Sequence, residues 1–158
     1  MISQEVQNVL DDVTSSAPVD VAAAAERLGV KIFAAKLADK VSGVLVRDPA
    51  YGSQSGFVIF VDQDEPAVRQ RFTAAHELGH FVLHKEAVGH KNEDNYLLRS
   101  EGMSNRQEAE ANKFAATLLM PFDLIEIAMK NGTTTPRALA KHFNVSEIAM
   151  SIRLGLPT

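Results

Sequence analysis

A chain of 158 residues, 46% of them hydrophobic, is long enough to bury one core and fits a single domain spanning 1–158. Its net charge of −4 argues against a surface built wholly for nucleic acid. Cysteine is absent, which excludes disulfides, a thiol nucleophile and cysteine-ligated zinc, so any metal site must use His and Asp or Glu. The apolar runs Val21–Ala25 and Phe57–Val61 are too short to span a bilayer, and no basic, apolar leader opens the chain. A cytoplasmic protein without membrane association is the expectation.

The first elements are helical. Ile2, Val6, Val9, Leu10 and Val13 recur at helical spacing, and Val19–Leu28 reads as a second helix closed by Gly29. These N-terminal helices account for residues 1–29. A small sheet is predicted over 30–62, from Val30–Ala34, Val41–Arg47 and Gly56–Asp62. The stretch Asp48-Pro49-Ala50-Tyr51-Gly52-Ser53 is rich in turn formers and predicts a hairpin between the last two strands. Such a sheet either covers one side of a helical core or offers an edge to an extended peptide.

Acidic residues followed by Pro66 mark the start of a helix over 66–85. Val68, Phe72, Ala75, Leu78, Gly79, Val82 and Leu83 form its apolar face, with His76 and His80 at the margin. Glycine costs about 1 kcal/mol against alanine inside a helix. Gly79 therefore predicts that another backbone, or a metal site, approaches closely there. Residues 86–103 are polar and irregular, suited either to cover a cleft or to lie in solvent. Ser104 and Gln107 have the capping-box form, opening a helix over 104–119. Further helices begin at Phe122, Thr135-Pro136 and Ser146 and fill 122–154. The fold class is α+β: a helical domain with a small three-stranded sheet packed beside the helix of 66–85.

The chemistry centres on His76-Glu77-Leu78-Gly79-His80. Histidines four apart lie about 40° apart around a helix and about 6 Å along it, so both rings can reach one ion. Glu77 can then sit beside the metal without occupying a ligand position. This is the H-E-x-x-H arrangement of zinc hydrolases, which need a third protein ligand and leave a fourth position for water. The third-histidine extension is missing, since Glu86, Ala87, Val88 and Gly89 stand where it would begin. A carboxylate on the helix of 104–119 is the main alternative. Glu108 and Glu110 are about 200° apart around that helix, so both cannot face one metal. Glu108 shares a face with Asn112, which can orient a ligand from behind it, so Glu108 is favoured and Glu110 is the alternative. Zinc suits a His, His, Glu set with an open position; manganese is the other candidate.

The stretch Arg71-Phe72-Thr73-Ala74-Ala75-His76-Glu77-Leu78-Gly79-His80 is followed by Leu83-His84. Downstream comes Glu108-Ala109-Glu110-Ala111-Asn112-Lys113-Phe114-Ala115-Ala116, with Leu118-Leu119-Met120-Pro121. Taken together these resemble the ImmA/IrrE metallopeptidases. The resemblance implies a zincin-like minimal peptidase core, with His76, His80 and the first Glu of the second motif, Glu108, as metal ligands. It also implies a protein substrate: a helix-turn-helix transcriptional repressor, of a mobile element or stress regulon, whose cleavage relieves repression. Zinc chemistry then makes Glu77 the general base. A separate group should stabilise the oxyanion, with His84, His90, Tyr96, Arg99 and His142 as candidates. His84 and Tyr96 can equally support the site from behind the ligands. The substrate peptide is expected along Gly56–Asp62.

Two other readings compete. Residues Leu139–Leu154 resemble a helix-turn-helix, but from Pro136 onward the charged residues are Arg137, Lys141, Glu147 and Arg153. That basic excess is weak for gripping phosphates, which sets direct nucleic-acid binding aside. The second is a metal-binding toxin–antitoxin component that uses the cleft without hydrolysis; an intact Glu77 argues against it.

Overall fold

The computed structural model describes residues 3–88 and 103–158. Two short helices lead, α1 (Gln4–Leu10) and α2 (Val21–Arg27), each opened by a side chain that accepts a backbone N–H, Ser3 and Asp20. The apolar pattern of residues 2–13 is longer than the helix it forms, which stops at Leu10. Gly29 follows α2 at φ +82°, the left-handed conformation that ends helices.

Strands β1 (Lys31–Ala35), β2 (Gly43–Arg47) and β3 (Phe57–Asp62) form one mixed sheet in the order β1-β3-β2. β2 and β3 are the expected antiparallel hairpin, with Gly43 opposite Val61 and Arg47 opposite Phe57. β1 runs parallel to β3, from Lys31 opposite Val58 to Ala35 opposite Asp62. The period-two alternation sends Leu45, Phe57, Ile59 and Val61 into the main core. Val44, Val46 and Val58 pack together on the opposite face. One expectation fails here. β3 is the central strand and its main-chain groups are used on both sides, so a peptide cannot add along Gly56–Asp62.

Helix α3 (Ala67–His84) packs against β2 and β3 and, elsewhere on its surface, against α4 (Asn105–Leu119). It is flanked on several sides, and so buries Thr73, Glu77 and His80 as well as its apolar stripe. α4 begins with the capping box: Ser104 accepts from the Gln107 N–H, and the Gln107 side chain accepts from the Ser104 N–H. Three further helices follow, α5 (Phe122–Lys130), α6 (Pro136–Phe143) and α7 (Glu147–Arg153). Thr135 and Ser146 cap the last two. The molecule is therefore α+β, with one main core that joins the N-terminal helices, the inner sheet face, α3, α4 and the C-terminal helices. No helix among the described residues is long and apolar enough to cross a membrane.

Candidate metal centre

The spacing of His76, His80 and His84 puts three imidazoles along one side of α3, one turn apart. α4 lies beside that side. The approach is close because position 79 is glycine: a Cβ there would meet the Ala111 carbonyl oxygen, Phe114 Cβ and Phe114 Cδ1, each at 3.1 Å. The backbone contact predicted from Gly79 is thus present, and α4 supplies it. It brings Glu108, in the first turn of α4, up to the two histidines of the motif.

The result is a convergent donor set. His76 Nε2 and His80 Nε2 are 3.1 Å apart. Glu108 Oε1 is 2.6 Å from His80 Nε2, and Glu108 Oε2 is 3.6 Å from His76 Nε2. Two donors on a tetrahedral zinc at ~2.0–2.1 Å are ~3.3 Å from each other, so these three separations bracket the spacing that one ion requires. Among the described residues, Glu108 Oε1 is buried and receives no hydrogen bond. A desolvated carboxylate oxygen in that condition is costly unless a cation faces it. His80 is fully buried. His76, His80 and Glu108 therefore lie close enough to bind a metal ion, and their chemistry fits zinc.

The groups behind the donors are also in contact. Asn112, one turn beyond Glu108 on α4, places Oδ1 2.7 Å from His76 Nδ1. An amide oxygen only accepts, so His76 Nδ1 carries the proton and Nε2 keeps its lone pair toward the donor set. Glu110 does not reach the set. Its Oε1 lies 3.1 Å from His84 Nε2, and His84 Nδ1 lies 3.0 Å from His80 Nδ1.

Glu77 is buried on α3. Its neighbour across the packing interface is Gly43, the first residue of β2. A Cβ at Gly43 would come 2.5 Å from Thr73 Cγ2 and 3.4 Å from Glu77 Cγ. Gly43 carries no chemistry in the sequence, and only a glycine opening a strand hints at its role. Among the other oxyanion candidates, His142 is exposed on α6 against the Phe143 ring. His90, Tyr96 and Arg99 lie outside the described residues.

Comparison with known proteins agrees with this geometry. The model of the family Peptidase_M78, described as IrrE N-terminal-like domain, matches residues 25–155. No curated protein matches the chain. Among solved structures, a Mycobacterium tuberculosis transcriptional regulator superposes with a TM-score of 0.54 at 17% identity, over 99% of this chain and 52% of its own. That likeness is one of fold, and the chain spans about half the length of that regulator.

Proposed function

The chain belongs to the IrrE N-terminal-like peptidase family, and on that premise we propose that it is a zinc-dependent endopeptidase acting on a protein substrate. The observation that carries the reading is the buried Glu108 oxygen beside two histidine nitrogens 3.1 Å apart. His76, His80 and Glu108 would hold the ion, as a single metallopeptidase domain across 1–158. A zinc ion bound there supplies an acidified water and an electrophile for the scissile carbonyl. Asn112 holds the His76 ring with its lone pair turned inward. Glu77 follows His76 directly on α3, and takes the proton of the attacking water and delivers it to the leaving amine.

β3 is spent on both sides, which leaves β1 and β2 as the outer strands, and the nearness of Gly43 to Glu77 favours β2 as the place for the substrate. Among the described residues β2 pairs only with β3, and its first residue adjoins Glu77. An extended peptide added to that edge uses main-chain hydrogen bonds for affinity and leaves sequence preference to side-chain pockets. A helix-turn-helix repressor as the substrate rests on the resemblance to the ImmA/IrrE metallopeptidases. A fold neighbour described as a transcriptional regulator is compatible with it.

The test is cleavage of candidate repressors by zinc-loaded protein, with and without chelator. Glu77→Gln should lower turnover by about 10²–10⁴-fold while zinc stays bound. Equal behaviour of the wild type and this variant would sink the reading.

A further inference from the structure

We propose that Arg47 and Lys85 select the substrate, favouring a peptide with an acidic side chain four residues from the one that lies beside Gly43 and Glu77. Such a preference rests on the endopeptidase reading with β2 as the substrate strand, and names the class of peptide that strand takes.

Alternation along β2 puts Gly43, Leu45 and Arg47 on the side of the sheet that faces α3. Gly43 stands by Thr73 and Glu77, and Leu45 is in the main core. Arg47 breaks the pattern with a cation where another small or apolar side chain would continue it. Its guanidinium carbon lies 4.9 Å from the ring centroid of Phe57, the residue opposite it on β3. Phe57 meets Phe81 of α3 edge-on, with centroids 5.1 Å apart. Lys85, directly after α3, places Nζ 5.5 Å from the Phe81 centroid. Ring faces attract cations, so one pair of phenyl rings fixes where both charges stand.

β2 and α3 run alongside each other. Thr73, Glu77, Phe81 and Lys85 follow one another at steps of four; the first two adjoin Gly43, and the last two adjoin the Phe57 end, where Arg47 stands. Gly43 to Arg47 spans ~13 Å along a strand and Glu77 to Lys85 ~12 Å along a helix, so the two elements stay in step. The two cations therefore lie at the far end of the same strand from Glu77. In a strand added to β2, the side chains opposite Gly43 and Arg47 fall on one face, because four is an even step. A substrate residue four along from the one beside Gly43 thus turns its side chain toward half-buried Arg47 and exposed Lys85. Opposite charges facing each other across two strands stabilise the pairing, and like charges weaken it. The chain as a whole carries a net charge of −4, so a carboxylate is drawn by these two local cations and not by the overall field.

The test gives zinc-loaded protein a random-sequence peptide library and reads the cut sites by mass spectrometry. Asp and Glu should be enriched about four to five residues from the cut, on one side only. A cut sequence is then made with Glu, Gln or Lys at that place; if only a candidate repressor is cut, its own cut site supplies the sequence. The Glu peptide should exceed the Gln peptide in kcat/KM by about three- to tenfold, with Lys below Gln. Raising the salt should shrink the ratio. Arg47→Gln should bring the ratio of Glu to Gln toward one, and Lys85→Glu, at an exposed position, should bring it to one or below. A merely structural role for these residues lowers both peptides alike and leaves the ratio, so an unchanged ratio in Lys85→Glu overturns the proposal even where Arg47→Gln does not fold. Wild-type protein that binds zinc but cuts neither the library nor a candidate repressor removes the endopeptidase reading and this preference with it. Cutting without an acidic preference removes the preference alone.

Discussion

A methyl group at Gly79 would press on the Ala111 carbonyl oxygen and on Phe114 at 3.1 Å, at the place where α3 and α4 come together. Two effects oppose each other in Gly79→Ala. Helix propensity favours alanine by about 1 kcal/mol. Overpacking a rigid contact costs about 1–3 kcal/mol, and a backbone carbonyl on a neighbouring helix cannot swing aside as a side chain would. The substitution should therefore lower stability and also push Glu108 away from the two histidines. Melting temperature and zinc affinity should fall together; a more stable protein with undiminished zinc binding would show that the close approach is not needed. Gly79 was legible in the sequence because a glycine inside a periodic helix is locally costly. The pair His76 and His80 was legible because a spacing of four is fixed by the helix itself. Gly43 beside Glu77 and Glu110 beside His84 were not, because each contact joins elements whose packing no local pattern records.

The first turn of α4 shows how an element carries a site. Glu108 is the fourth residue of that helix, and the capping box of Ser104 and Gln107 satisfies backbone N–H groups at the same end. Ser104→Ala should cost about 1 kcal/mol, which is roughly 2–4 °C in melting temperature for a chain of this size. The same loosening weakens the turn that holds Glu108, so zinc affinity should drop by up to about fivefold. A lowered melting temperature with unchanged zinc affinity would mean that packing, not the cap, holds the carboxylate. Helix starts such as Ser104, Thr135 and Ser146 were readable because caps are local chemistry. Strand order was not. The parallel pairing of β1 with β3 is a long-range choice made by burial, and it makes β3 the central strand, so that among the described residues β2, beside Glu77, pairs on one side alone.

At the scale of the molecule, two arginines hold the C-terminal helices to the body. Arg71 on α3 donates Nε–H to Asn144 O at 3.0 Å, one terminal N–H to Val19 O at 2.9 Å and the other to Phe143 O at 3.3 Å. Burial pushes its guanidinium pKa below the ordinary value. Arg153 on α7 donates to Met120 O at 2.8 Å and stacks over the Phe122 ring. Phe143 and Met150, at the centre of the α6–α7 pair, are fully buried. The pair resembles a helix-turn-helix in sequence because its turn residues and spacing are the same. Its surroundings differ: Arg153 is turned toward the protein, and the outer face of α7 carries Ile148 and Ile152, 66% and 64% exposed, rather than phosphate-binding groups. Arg71→Ala leaves three main-chain carbonyls without their donor. Losing charge-assisted hydrogen bonds of this kind costs on the order of 3 kcal/mol, or about 6–12 °C in melting temperature. Arg71 and His76 lie on the same helix, yet the hydrogen bonds of Arg71 go to the carbonyls of Val19, Phe143 and Asn144 rather than to the donor set. Zinc affinity measured well below the melting transition should thus stay close to wild type, while hydrogen exchange at α6 and α7 should quicken. Slow exchange there in Arg71→Ala would mean that the apolar contacts of Phe143 and Met150 alone secure the pair.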